Sequence, residues 1–291
     1  METRDPDDVL TLCLLATHSA VQLAAVTVNP GTLAQIGLVR TVLARLGVNA
    51  PVGARVAHHS GDAVSPFHRT WLGETATARP DAVAHELLAR ILTEKPDSVL
   101  LTAAPLHNFR LLLRNHTEVT VQCWVAQGGF AGDNVVPQED RLPKFAGLNT
   151  CESYNFGHDA KGAIAALSSD RVRRRRLVSK NVTHGVAWNG AMHQRIKALN
   201  DMKPGVRLAV EAMEIYLREY PEGKFLHDPL AAAAMIDPAA FEWEEVEVYR
   251  ERGRWGARPR TGTDTLISTS VNAVQALSAV LELHEVNILE G

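Results

Sequence analysis

The segment Asp5-Pro6-Asp7-Asp8 places three carboxylates within four residues. Such charges repel one another unless a cation neutralises them. One local reading is a helix start, because the apolar run Val9 to Leu15 follows at once; an N-cap and acidic first-turn residues suit the helix dipole. The chemical reading is a hard-cation site, since Ca²⁺ takes six to eight oxygen ligands, largely carboxylates and carbonyls. A further acidic position stands in His227-Asp228-Pro229-Leu230. Capping with proline at the first helical position explains Asp228 and Pro229 but leaves His227 unexplained. A histidine titrates where general acid and base chemistry operates. Lys180-Asn181-Val182-Thr183-His184 follows a strand pattern and is expected at a pocket rim, with His184 either structural or catalytic. His58-His59 and the stretch Ser65 to Trp71 form a polar, aromatic loop. The densest basic run, Arg173 to Arg176 with Arg171 nearby, reads as a solvated helix end entering a strand. Arg252, Arg254, Trp255 and Arg258 read as an exposed hairpin tip.

These groups need a scaffold, and the pattern supplies one. Short β-rich runs at 21–28, 98–103, 119–126 and 177–182 alternate with helical patterns at 32–46, 83–92, 106–114, 160–167 and 207–220. Strands separated by helices of this length imply right-handed crossovers. The fold expected is α/β, a doubly wound and mainly parallel sheet with helices on both faces. Residues 245–249 and 265–270 alternate apolar and polar side chains and add a late antiparallel hairpin, and residues 272–284 make a closing helix. A single domain over 1–291 is expected, since neither repeat nor low-complexity linker interrupts the chain. The first helix has almost no sequence ahead of it, so the strand that normally feeds it is short or lost.

Bulk properties narrow the partners. The 291 residues are 46% hydrophobic and 22% charged, with formal net charge −3 and pI near 6.5. That balance gives no electrostatic reason to expect nucleic acid. No apolar run reaches membrane-span length, and the first residues lack the features of a signal peptide. Cys13, Cys123 and Cys151 lack zinc-ligand spacing, and their odd number argues against a disulfide framework. A reducing cytoplasm is the expected location.

Taken in order, the motifs resemble the nucleoside hydrolases of the inosine-uridine type. Asp7-Asp8 is similar to that family's Asp-Asp before its first helix, and Val26-Thr27-Val28-Asn29-Pro30-Gly31 to its second-strand turn. Ala104-Pro105-Leu106-His107-Asn108 resembles its Gly-Pro-Leu-Thr-Asn segment, Gln127-Gly128-Gly129 its Met-Gly-Gly strand end, and Asp133-Asn134 its Gly-Asn pair. Ser153-Tyr154-Asn155 stands for Glu-Phe-Asn, and Asn181-Val182-Thr183-His184 for Asp-Val-Thr-His. His227-Asp228-Pro229-Leu230-Ala231 reproduces His-Asp-Pro-Leu-Ala.

The resemblance implies a calcium-dependent N-glycosyl hydrolase that cleaves a ribonucleoside, or a related N-riboside, to base and sugar. It implies that Asp8 and Asp228 hold Ca²⁺ with a backbone carbonyl near Ala103. Asp5 would touch the metal and take the proton from water. Asp7 would hold a ribose hydroxyl, Asn155 the ribose, and Asn134 its 5′ end. His227 would face the leaving base as the acid, with His68 and Trp71 stacking on or bonding to the leaving group. Two departures fall on sugar contacts: the family asparagine after the turn falls on Thr32, and its glutamate on Ser153, with Glu152 one place off. An ungapped match puts Thr3 where the proton acceptor is expected. The alternative is a catalytically degenerate protein that binds nucleosides or nucleotide derivatives. Expected partners are a nucleoside-like small molecule and further copies of the chain, as a dimer or tetramer in purine or pyrimidine salvage.

Overall fold

The computed structural model describes residues 1–55 and 62–283. Strands β1 (Val26–Val28), β2 (Val52–Ala54) and β3 (Ala82–Val83) pair in parallel as one short sheet. The strands that follow are β4 (Val99–Thr102), β5 (Cys123–Gln127), β6 (Thr150–Cys151), β7 (Arg175–Val178), β8 (Ala187–Trp188), β9 (Lys224–Phe225), β10 (Phe241–Glu251), β11 (Arg254–Pro259) and β12 (Thr265–Val271). Seven of them form a sheet in the order β4-β5-β7-β12-β10-β11-β6, while β8 pairs with β9. The β4-β5-β7-β12 portion is parallel and the remainder antiparallel.

Helices connect these strands: α1 (Pro6–Ala16), α2 (Leu33–Arg45), α3 (Pro66–Leu72), α4 (Ala84–Glu94), α5 (His107–Asn115) and α6 (Tyr154–His158). The rest are α7 (Ala160–Ser168), α8 (Lys180–Thr183), α9 (Gly190–Lys197), α10 (Pro204–Glu219), α11 (His227–Ile236) and α12 (Ala273–Leu281). Successive strand residues point to opposite faces. Val125 of β5 and Val178 of β7 therefore pack with Leu10, Leu230 and Leu277 on one side, while Trp124 and Leu177 pack with Phe109, Leu112 and Ala163 on the other. Helices cover both faces, as the alternation of patterns predicts.

Several expectations need correction. Of residues 21–28 only the last three form a strand. The strand expected over 177–182 ends at Val178, and Lys180 opens a short helix instead. The late hairpin is more elaborate: β10 turns tightly into β11 through Arg252 and Gly253, both at positive φ (49° and 85°), and also pairs with β12. Trp255 is consequently a buried β11 residue, 1% exposed, rather than part of the tip. Arg175 is likewise buried, its guanidinium donating to the backbone carbonyls of Ala166 and Ser169. The closing helix ends at Leu281. His58, His59 and His284 lie outside the described residues.

The residues ahead of α1 run beside β1. The Met1 ammonium donates to the Thr27 carbonyl (2.9 Å), and the Asn29 amide donates to the Met1 carbonyl (2.9 Å). Met1 thus sits beside Val28 as one rung of a parallel ladder. Below that rung β1 and β4 are both sheet edges, separated by a cavity of about 770 Å³ lined by Leu12, Leu15, Val26, Ile91, Leu100 and Met235 among others.

Candidate active site

A second cavity, about 390 Å³, opens where α1 and α11 begin and where β4 and β5 end. This is the end at which doubly wound sheets receive ligands. Asp5 caps α1 by accepting the Asp7 amide (3.4 Å), and Pro6 occupies the first turn where its missing N–H costs nothing. Capping therefore turns Asp7 and Asp8 inward on the first helical turn, and both are buried. Asp228, on the first turn of α11, is buried as well, and its amide donates to Asp7 Oδ2 (3.4 Å). Asp7, Asp8 and Asp228 each offer a carboxylate oxygen, all within 4.8 Å of one another.

The electrostatics follow from that crowding. Burial first pushes Asp7 and Asp228 well above the usual carboxylate range; the Asp5 and Asp8 charges add to it at both, and the Asp7 charge at Asp228, while Lys224 opposes. Asp8 is pushed up to about 7 chiefly by burial, although the terminal ammonium and the Glu2 amide (2.8 Å from Oδ1) oppose the shift. Asp5 behaves oppositely. Burial raises it, but hydrogen bonding with Asp7 and the Lys224 ammonium prevail and hold it below its ordinary value. Lys224 Nζ lies 2.6 Å from Asp5 and 3.6 Å from Asp7.

The cluster thus takes in Asp7, expected to hold a sugar hydroxyl, and leaves out Asp5, expected as a ligand; the Asp5 side chain is 53% exposed and tied to Lys224. Three buried carboxylates, with Lys224 3.6 Å from Asp7 but shared with Asp5 and the terminal ammonium acting on Asp8, form an all-oxygen set still short of positive charge. That donor set suits a hard divalent cation, and Ala103, beside Asp8 in the cavity wall, carries a backbone carbonyl of the same chemistry.

Around this cluster stand Glu2, Gln127, Ser153, Tyr154, Asn155 and His227. Asn155 Nδ2 donates to the backbone carbonyl (3.1 Å) and side-chain Oε1 (2.8 Å) of Gln127, which fixes the amide plane. Gly129 shapes the floor in a left-handed conformation (φ 82°), and its amide donates to Ser153 Oγ (3.2 Å). His227 Nδ1 meets Thr183 Oγ1 at 2.9 Å, and the ring packs edge-on against His184 at 4.8 Å. Burial first, then the Lys224 and His184 charges, push His227 down to about 3, so it is neutral near pH 7. Burial and three lysines push His184 down to about 4.

Six residues singled out from the sequence lie away from this cavity. Thr32 is buried as the N-cap of α2, in a reciprocal capping box with Gln35. Glu152 is turned to solvent while its neighbour Ser153 lines the wall. Asn134 is exposed and donates to the Ala257 carbonyl (2.7 Å). His68 and Trp71 are buried, His68 Nδ1 pairing with Ser65 Oγ at 2.7 Å and Trp71 packing in the core. The expected acceptor position, Thr3, is also buried, its hydroxyl donating to the Ala63 carbonyl (2.9 Å).

Glu2 and Lys224 are cavity or cluster residues that the sequence did not announce. Glu2 falls in the stretch that reads as a lost strand. Lys224 stands four residues before Asp228, and that proximity was the one available signal.

Comparison with known proteins follows the same lines. The model of the inosine-uridine preferring nucleoside hydrolase family matches residues 4–279. A protein of Aquifex aeolicus, described as uncharacterized, is 27% identical over 266 residues, 88% of each chain. The pyrimidine-specific ribonucleoside hydrolase RihA of Salmonella newport is 25% identical, covering 83% of this chain and 81% of its own. In structure, the inosine-uridine preferring nucleoside hydrolase of Bacillus anthracis superposes with TM-score 0.70 at 18% identity, over 95% of this chain and 94% of that one. With the fold shared and the family pattern running through almost its whole length, the chain belongs to the inosine-uridine preferring nucleoside hydrolases.

Proposed function

We propose that the protein hydrolyses the N-glycosidic bond of a ribonucleoside or related N-riboside, with calcium bound at Asp7, Asp8 and Asp228 and the Ala103 carbonyl. The observation that carries this reading is the buried trio of carboxylates opening onto a cavity that also holds Asn155 and His227. The resident cation supplies charge neutralisation and Lewis acidity toward water when bound.

The chain's own residues account for the rest. Cleavage of an N-glycosidic bond builds positive charge on the sugar in an oxocarbenium-like transition state, and carboxylates beside the anomeric carbon stabilise it. Asp5, kept ionised by Lys224 at 2.6 Å, takes the proton from the attacking water. Asn155, its amide fixed by Gln127, orients the sugar. With Thr183 donating to Nδ1, the His227 Nε2–H offers the departing base a hydrogen bond from a neutral ring, in place of the imidazolium expected of a general acid.

One observation favours a second reading, a binding protein without turnover: the ion pair that keeps Asp5 charged also makes it a weak base. Release of reducing sugar from purine and pyrimidine nucleosides, measured with Ca²⁺ and again with excess chelator, separates the two. Calcium-dependent release supports hydrolysis. Nucleoside binding with no product in either condition supports the second reading.

A further inference from the structure

The cavity carries positive charge that hydrolysis of a neutral nucleoside does not use. Lys180 lines the wall, half-buried, with Nζ donating to the Glu152 carbonyl at 3.2 Å, next to Ser153, which precedes the short helix α6 that carries Asn155. Lys144 lies close by: its Nζ donates to His184 Nδ1 at 3.2 Å, and both ammonium groups sit within 6 Å of the Phe145 ring centre, at 5.7 and 5.9 Å. Among the described residues neither lysine has a carboxylate within ion-pair distance, whereas Lys224 has Asp5 and Lys197 has Glu214. The loop facing Lys180 presents the neutral Ser153 inward and turns Glu152 outward.

Lys180 shares the cavity wall with His184 and His227, and Lys144 reaches His184, whereas Lys224 is held by Asp5 and Asp7. Phosphate is the group that an ammonium pair of this kind holds through charge-assisted hydrogen bonds.

Its place on the substrate follows from sugar stereochemistry and rests on the function proposed above. In a β-N-riboside the base and the C4′ hydroxymethyl group project from one face of the furanose, and the 2′ and 3′ hydroxyls from the other. With the diol toward the carboxylates and the base beside His227, the 5′ position points between the Ser153 loop and the histidines, where Lys180 stands. We propose that the preferred substrate is a 5′-phosphorylated N-riboside, its phosphate held by Lys180 with Lys144 reinforcing the charge.

Binding tests this without requiring turnover. Calorimetric titration with Ca²⁺ present compares ribose 5-phosphate with ribose. The phosphate is expected to bind at least about tenfold more tightly, with a preference that shrinks as salt is added. Lys180→Ala, checked for an unchanged melting temperature, is expected to abolish the preference; Lys180→Arg keeps most of it and Lys144→Ala part of it. Equal affinity for the two sugars, or a preference that survives Lys180→Ala, overturns the proposal. Turnover then separates it from the reading beneath it. Equal kcat/KM for nucleosides and their 5′-monophosphates removes the phosphate site and leaves the hydrolase. Lysine-dependent phosphate binding with no base released from either substrate keeps the site and removes the hydrolase.

Discussion

Asp7, Asp8 and Asp228 share one buried space, and three carboxylates there stay ionised together only beside a cation. Without metal the cluster must bind protons instead. Asp8 shows the sign: its value rises from 3.8 to about 7, so the folded protein binds a proton more tightly than the unfolded chain. The buried neutral His184 and His227 push the other way, so the trend is read against Asp8→Asn: relative to that variant, the chelator-treated protein is expected to lose stability as pH rises from about 4 through about 7. Saturating calcium competes with that proton and should flatten or reverse the trend, which melting curves across this range would reveal. A stability difference from Asp8→Asn that does not shrink over the same interval would contradict the cluster. Asp5 makes a separate prediction, because it stands outside the trio and pairs with Lys224. Asp5→Asn is expected to lower kcat on the order of 10²-fold or more while calcium still raises the melting temperature. Loss of the calcium effect in that variant would return Asp5 to the ligand set.

The elements determine which residues reach the cavity. Asp8 and Asp228 were expected together from the family motifs, since an acidic cap before an apolar helix reads equally as a plain helix start; Asp228 proved no cap, because α11 begins at His227 behind Leu226 and Pro229 is its third residue. Thr32 was not legible: a threonine after a turn is equally a sugar contact or a cap, and only the reciprocal bonds with Gln35 decide. Thr32→Ala is accordingly expected to cost about 1 kcal/mol of stability and to leave KM unchanged. A raised KM at unchanged stability would put Thr32 back among the sugar contacts. Ser153 and Glu152 differ by one position, and the direction of a side chain in so short a connection is set by packing rather than by pattern. His68 and Trp71 misled for a related reason. Their polar, aromatic loop is mostly a helix, α3, whose inward face packs into the core beside Tyr216. Parallel strands and their helices were readable from periodicity, whereas β2, β6 and β8 are two or three residues long, too short for any period to show.

Across the whole molecule, two cavities meet at Asp8 and Ala103, the acidic one above and the apolar one between β1 and β4 below. The lower one has strand edges on both sides and Met1 hydrogen-bonded at its upper end as a first rung. Paired edges and buried apolar surface both stabilise a sheet. Four β-branched residues joined ahead of Met1 are therefore expected to raise the melting temperature by several degrees, and four glycine and serine residues to leave it unchanged. Equal effects would show that the gap does not accept a strand. The carboxylate trio is expected to hold the cation on which glycoside cleavage depends. Base release from a nucleoside panel and the corresponding 5′-monophosphates, followed while Ca²⁺ is titrated into the chelator-stripped protein, tests it most directly. Saturable activation, absent in Asp228→Asn, is the predicted result; the full rate in excess chelator would contradict it.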